Sequence, residues 1–249
     1  MSLGPSERLS GQRCRGMTLV ETLIGALIFA FVTAGVYLLY TTMQNTMSRG
    51  ELMSDLQQNA RISLAQMTQE IRMTGYDPSA IIPLISTTTP PQSAIRSAMP
   101  GCFSFVADWQ GDGTADQITY TVGTSDKCVS PCLRRRVDSW DSAHNVFGVG
   151  SFQPLAGGTS VNVATFTAVR VLTFTYYDSN NQVLDPSTVP PSTRQCPPAS
   201  SAGASVQQLT FDQMRLVRRV AITLKAQGSR PGIFAEFFTL TSDVRLRNF

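Results

Sequence analysis

Histidine is almost missing from the sequence: His144 is the single one among 249 residues. Any Ser-His-Asp or Cys-His relay would have to be built on that ring. Its surroundings, "WDSAHNVFGVG", contain no nucleophile signature such as G-x-S-x-G, so His144 reads as a surface or strand-end residue. Charge is also scarce, at 15%, and the net +3 is unevenly placed. Residues 1–16 hold Arg8, Arg13 and Arg15 against Glu7 alone, which leaves 17 of the 20 basic and 16 of the 17 acidic groups for the rest of the chain. That near balance offers no concentrated basic face, so nucleic acid is not an expected partner. Low overall hydrophobicity is absent too: with 42% hydrophobic residues there is material for one globular domain plus an appendage, and no sign of global disorder.

What stands out is the stretch from Met17 to Tyr40, 24 residues in which Glu21 is the only charge. At about 1.5 Å per residue it makes roughly 36 Å of helix, enough to cross a hydrocarbon core of about 30 Å. Three arginines precede it and the next basic residue is Arg49, so the positive-inside rule keeps residues 1–16 in the cytoplasm and exports the chain beyond Tyr40. A secretory signal peptide would place a small-residue cleavage site after the apolar run, and no such site lies close behind Tyr40. A plain signal anchor would satisfy hydropathy alone, but it does not account for Gly16 and Glu21.

The helix is expected to continue past the membrane. Leu52, Leu56, Ala60, Leu64, Met67 and Ile71 extend an apolar stripe at spacings of three and four, with Glu51, Asp55, Arg61, Glu70 and Arg72 at polar positions. Gly75 and Pro78 mark its end, so the predicted helix spans Met17 to Thr74, with its second half packed on a globular head. Residues 78–101 hold five of the fourteen prolines and read as a loop wrapping that head. Strand alternation then takes over. "CFSFVADWQGDGTADQITYTV" reads as two strands around a turn and "CLRRRV" as a third. "AVRVLTFTYYD" is a fourth, with Val169, Val171, Thr173 and Thr175 on one side and Leu172, Phe174 and Tyr176 on the other. "DPSTVPPSTRQCPPAS" is a second proline-rich loop, and the last 35 residues or so look like a hairpin turned at Gly228 to Gly232, with Val220, Ile222 and Leu224 facing inward. The predicted fold class is α+β, a long N-terminal helix on a mainly antiparallel sheet.

"RGMTLVETLIG" resembles the type IV prepilin leader: basic residues, a glycine, then threonine, leucine and a glutamate at the head of an apolar helix. In that resemblance Gly16 is the glycine after which prepilin peptidase cuts, Met17 the new N-terminus that is N-methylated, and Glu21 the glutamate that docks on a neighbouring subunit. Met17 stands where phenylalanine is commoner, and the proline that many major pilins carry in the apolar helix is missing, leaving Gly25 and Gly35 as its flexible points. Further on, "LQQNARISLAQMTQEIRMTGYDP", "VRRVAITLKAQ" and "TSDVRLRN" are similar to the stem exit and last strands of PilW-family minor pilins.

The resemblance implies an organisation of leader 1–16, membrane half 17–40, amphipathic half 41–75 and periplasmic head 78–249. It implies a non-enzymatic subunit without cofactor, in the inner membrane and then at the pilus tip or base, that helps to prime assembly. Its expected partners are other minor pilins, the major pilin, a tip adhesin and prepilin peptidase. A pseudopilin of a type II secretion system is the nearest alternative, and a signal-anchored periplasmic protein the more distant one.

Of the five cysteines, Cys14 lies in the leader, which leaves Cys102, Cys128, Cys132 and Cys196 for an oxidising compartment. Four cysteines allow three pairings. The favoured one joins Cys128 to Cys132 locally and Cys102 to Cys196 across the two proline-rich loops, with a four-thiolate zinc site as the rival. In "DWQGDGTADQ", Asp108, Asp112 and Asp116 partly imitate a calcium loop, but Thr119 occupies the place of the bidentate glutamate, and a solvated Asp-Gly turn explains the same residues. No other metal site is indicated. The run Arg134 to Arg136 reads as an exposed strand edge that discourages aggregation, or as a contact for an acidic neighbour.

Overall fold

A computed structural model describes residues 17–86, 93–125, 128–156, 166–189, 196, 206–230 and 233–247. The chain divides into two units, Met1–Gly50 and Glu51–Phe249, and one helix, α1 (Leu19–Arg72), has residues in both. From Leu19 to Tyr40 α1 is apolar on nearly every side. Leu23, Ile24, Leu27, Phe29, Phe31, Val32 and Leu38 are all exposed, a pattern suited to lipid rather than water. The helix is long and apolar enough to cross a membrane. Threonine hydroxyls in this stretch are satisfied by the helix itself, since Thr33 donates to the Phe29 carbonyl and both Thr41 and Thr42 donate to that of Leu38.

In the second unit α1 buries Ala60, Leu64, Met67 and Ile71; the Leu52 and Leu56 side chains lie outside the described residues. The helix stops where the sequence expects. Gly75 takes a φ of 84°, which costs glycine little, and its N–H is redirected to the Val106 carbonyl at 3.0 Å. The described residues of the stretch 78–101 are not wholly a wrapping loop. They contain α2 (Ile81–Ser86) and β1 (Ile95–Met99). The Asp77 carboxylate accepts the Ile82 N–H at 2.6 Å, and Pro83 falls in the first turn of α2, where no amide donor is needed. Pro100 occupies the turn into β2 (Cys102–Ala107).

The first sheet continues through β3 (Asp116–Ser125) and β4 (Cys128–Asp138). A small hairpin, β5 (Trp140–Asp141) and β6 (Val146–Phe147), precedes β7 (Gln153–Ala156). The order is β1-β2-β3-β4-β7, antiparallel throughout. After β8 (Phe166–Tyr177) come β9 (Val183–Leu184), β10 (Ser187–Val189), β11 (Val206–Gln208), the short helix α3 (Phe211–Leu216), β12 (Arg219–Arg230) and β13 (Ile233–Arg245). The second sheet has the order β13-β12-β8-β9. One α+β core joins the helix to both sheets. Phe103 lies 5.6 Å from Phe174 and 5.7 Å from Tyr176, and the Tyr176 hydroxyl crosses to the Met99 carbonyl at 2.8 Å.

Three strand-level expectations need correction. Val169 and Val171 do not share a face, because the β12 to β8 register passes from Lys225↔Val171 to Ala226↔Val169. That β-bulge skips Arg170 and turns Val169 inward, to 1% exposure, while Val171 stays at 41%. The β12 to β13 hairpin is tighter than Gly228 to Gly232, since pairing persists to Arg230↔Ile233 and Gly228 lies within β12. The arginine run is not an edge, because β4 lies between β3 and β7.

Candidate functional site

Glu21 sits in the first turn of α1, and its backbone is held by the residue that starts the helix. Its N–H donates to the Thr18 hydroxyl at 3.3 Å and to the Thr18 carbonyl at 3.1 Å. Thr18-x-x-Glu21 is the spacing of a capping box, a sequence signal that hydropathy obscures. A carboxylate there suits the positive end of the helix dipole. The Glu21 side chain is exposed and has no partner among the described residues, and Met17 beside it is 71% exposed. Gly16 and Cys14 lie outside the described residues.

The second glutamate of interest, Glu70, was expected at a polar position but is buried. Positions 63, 70 and 74 widen the buried face beyond the apolar stripe, since Ser63 and Thr74 are buried with Glu70. Both carboxylate oxygens are occupied. Oε2 accepts the Tyr120 hydroxyl at 2.5 Å and Arg135 Nε at 2.9 Å, while Oε1 accepts Gln66 Nε2 at 2.9 Å. The Arg135 guanidinium also lies 4.2 Å from the Trp109 ring centroid. Burial, reinforced by the Glu70 charge, pushes the Tyr120 hydroxyl well above its usual pKa. This cluster ties residue 70 of the stem to β3 and β4.

Arg136 pairs with Asp138 at 2.8 Å, and Arg134 donates to the Thr124 carbonyl at 2.6 Å. These arginines brace the sheet interior. Burial raises the Asp138 carboxyl, opposed by the Gly150 N–H and Arg136. Gly150 could not carry a Cβ, which would fall 2.0 Å from the Val137 carbonyl oxygen.

In the 108–116 loop the carboxylates are already engaged. Asp108 accepts the Gly111 and Gly113 N–H groups at 2.7 and 3.1 Å, and Asp112 accepts the Thr114 N–H and hydroxyl at 2.9 and 2.6 Å. Gln110 donates to Asp116 at 3.2 Å. Gly111 and Gly113 have φ of 73° and 87°, so the sequence "GDG" serves a turn. Among the described residues no group of three or more His, Cys, Asp and Glu could hold a metal. His144 is exposed and bonded to Asp141 at 2.6 Å.

Cys102 and Cys196 form a disulfide with Cα atoms 6.0 Å apart, and both are buried. Cys132 is also disulfide-bonded; the Cys128 side chain lies outside the described residues.

The profile of the prokaryotic N-terminal methylation motif matches residues 11–37, a span that includes Gly16, Met17 and Glu21. The match supports a type IV pilin or pseudopilin, a class of typically non-enzymatic structural subunits, and implies processing by prepilin peptidase. With the exposed apolar helix it fits an anchor in the inner membrane. No curated protein and no solved structure matches the chain.

Proposed function

We propose that the chain is a minor pilin of the PilW type. Prepilin peptidase cuts it after Gly16, the Met17 amine is methylated, and the exported head joins a minor-pilin complex that primes pilus assembly and stays at the tip or base. The observation that carries this reading is the methylation motif that runs into an apolar helix whose first turn holds a carboxylate, Glu21, without a partner among the described residues. The "MTGYDP" exit supports the PilW assignment within the class. It is stitched to β2 and the residue after it by Gly75 N–H to the Val106 carbonyl at 3.0 Å and Asp108 N–H to the Tyr76 carbonyl at 2.9 Å. The favoured pairing of Cys128 with Cys132 remains part of this proposal.

The test is the mass of the mature N-terminus. A methylated Met17 is expected, and Gly16→Leu should leave only the longer chain. Unchanged processing of that variant would remove the leader assignment. Deletion of the gene should abolish surface pili, whereas loss of a secreted protein with pili intact would make the subunit a pseudopilin.

A further inference from the structure

Strand β13 closes the second sheet: β12 pairs with one of its edges, and among the described residues its other edge pairs with no strand. Beside it, within the second unit, runs a groove of about 630 Å³. Arg61, Ala65, Gln69 and Arg72 of α1 form one wall, and Thr241 and Ser242 of β13 belong to the other. A hydrogen bond between the Thr68 and Ser242 hydroxyls, 3.1 Å apart, fixes the two walls together. Six of the eight lining residues carry polar side chains, but most of the lining surface is apolar, so the side chains alone do not select an occupant. A bare strand edge, in contrast, presents backbone donors and acceptors that another strand completes.

The charges say what that strand carries. Arg135, Arg136 and Arg219 each have a carboxylate partner. Arg61 and Arg72 are exposed at the two ends of the helical wall, and neither has one among the described residues. We propose that this groove receives an extended acidic segment of a partner protein, added as a new strand on β13. The eleven steps from Arg61 to Arg72 span about 16 Å of helix. An extended chain rises about 3.3 Å per residue, so two carboxylates about four or six positions apart share a face and reach both guanidiniums. Backbone pairing with β13 supplies the attachment and the two arginines set its register. Nothing in this docking depends on cleavage of the leader, so it stands or falls separately from the assignment as a pilin.

The test uses the purified full chain in detergent and three fluorescent peptides of about ten residues, alternating Thr and Val on the β-strand period. One carries two Glu four positions apart, the second carries Lys in their place, and the third is the Glu peptide N-methylated on consecutive amides, which blocks both of its edges. The Glu peptide should bind at least about tenfold more tightly than the Lys peptide, and Arg61→Glu with Arg72→Glu should invert that preference. N-methylation should abolish binding while leaving the protein untouched, so a folding defect in the double variant would not obscure the result. Failure of the Glu peptide to bind, equal binding of both charges, or indifference to N-methylation would each overturn the proposal.

Discussion

One helix carries two glutamates in opposite circumstances. Glu70 is buried, and its two oxygens meet a tyrosine hydroxyl, an arginine and a glutamine amide. Glu21 lies in a stretch whose surface is hydrocarbon, and its side chain has no partner among the described residues. A buried carboxylate with both oxygens engaged is part of the fold's internal support, whereas one in an apolar segment with nothing to meet it is unfinished until something else arrives. Satisfaction among the described residues therefore separates a structural acid from one they leave without a partner, even though both belong to the same element.

The sharpest way to break this contrast is to strip Glu70 of its cation. Arg135→Ala leaves a buried carboxylate without its counter-charge and should destabilise the head by about 3–5 kcal/mol, read from urea midpoints at unchanged slope. Replacing the whole cluster, with Glu70→Met, Arg135→Met and Tyr120→Phe together, should recover most of that loss. If Arg135→Ala stays within about 1 kcal/mol of wild type, Glu70 is solvated and the contrast with Glu21 disappears. Next in size is the covalent tie, which exists only in the second unit among the described residues. Cys102→Ser with Cys196→Ser, residues 94 apart in sequence, should cost the head about 2–5 kcal/mol. Thermal unfolding of wild type with and without reductant should differ by a similar amount, and coincident curves would show that the bridge constrains nothing.

Tyr120 sharpens the comparison through pH. Tyr120→Phe removes one hydrogen bond to a charged group and should cost about 1.5–3 kcal/mol at neutral pH. The folded state holds this hydroxyl well above the usual 10.0, by burial and by the neighbouring Glu70 charge. A raised folded-state value means a contribution that is fully present below the unfolded value near 10 and is lost as pH rises beyond it. The wild-type advantage over Tyr120→Phe should therefore shrink above about pH 10. A gap that stays constant from pH 8 to pH 11 would show that the hydroxyl does not titrate against Glu70.

The sequence disclosed the membrane stretch, the helix end at Gly75 and the antiparallel head because each rests on a local signal: an unbroken apolar run, a glycine stop, period-two alternation. The inner and outer faces of β12 were legible for the same reason, with Val220, Ile222 and Leu224 at 0–1% exposure. The features that stayed hidden depended on pairing. A glutamate in a helix and an arginine in a strand look like solvated charges until the fold brings residues 70 and 135 to 2.9 Å. The bulge at Arg170 changes which face Val169 uses without altering the residues around it. Likewise "LRRRV" reads as an edge until β7 is found beside it. The Thr210 capping box that starts α3 was visible as T-x-x-Q, but the six-residue helix it opens has too short a period to announce itself.

The smallest effect on folding is expected where the proposed effect on function is greatest. Glu21→Gln removes a charge that the described chain does not satisfy, so head stability should stay within about 0.5 kcal/mol of wild type. Insertion should persist, because a carboxylate near the middle of a membrane costs at least about 2.5 to 3.5 kcal/mol and its neutral amide costs less. Processing should persist as well, since Gly16 and the arginines before it are intact. The step that should fail is incorporation. In the proposed function cleavage leaves the Met17 amine as a cation at the start of the helix, and Glu21 lies four residues, or about 6 Å of axial rise, along the same helix. Two subunits staggered by that distance bring one amine level with the neighbouring carboxylate, and any other stagger leaves both charges unpaired in hydrocarbon. Glu21→Gln should therefore co-purify poorly with the other minor pilins and lower pilus number, while Glu21→Asp, shorter by one methylene, should retain part of both. Wild-type yield and piliation for Glu21→Gln would leave Glu21 with only its place at the helix N-terminus, and the two glutamates would then differ in surroundings but not in kind.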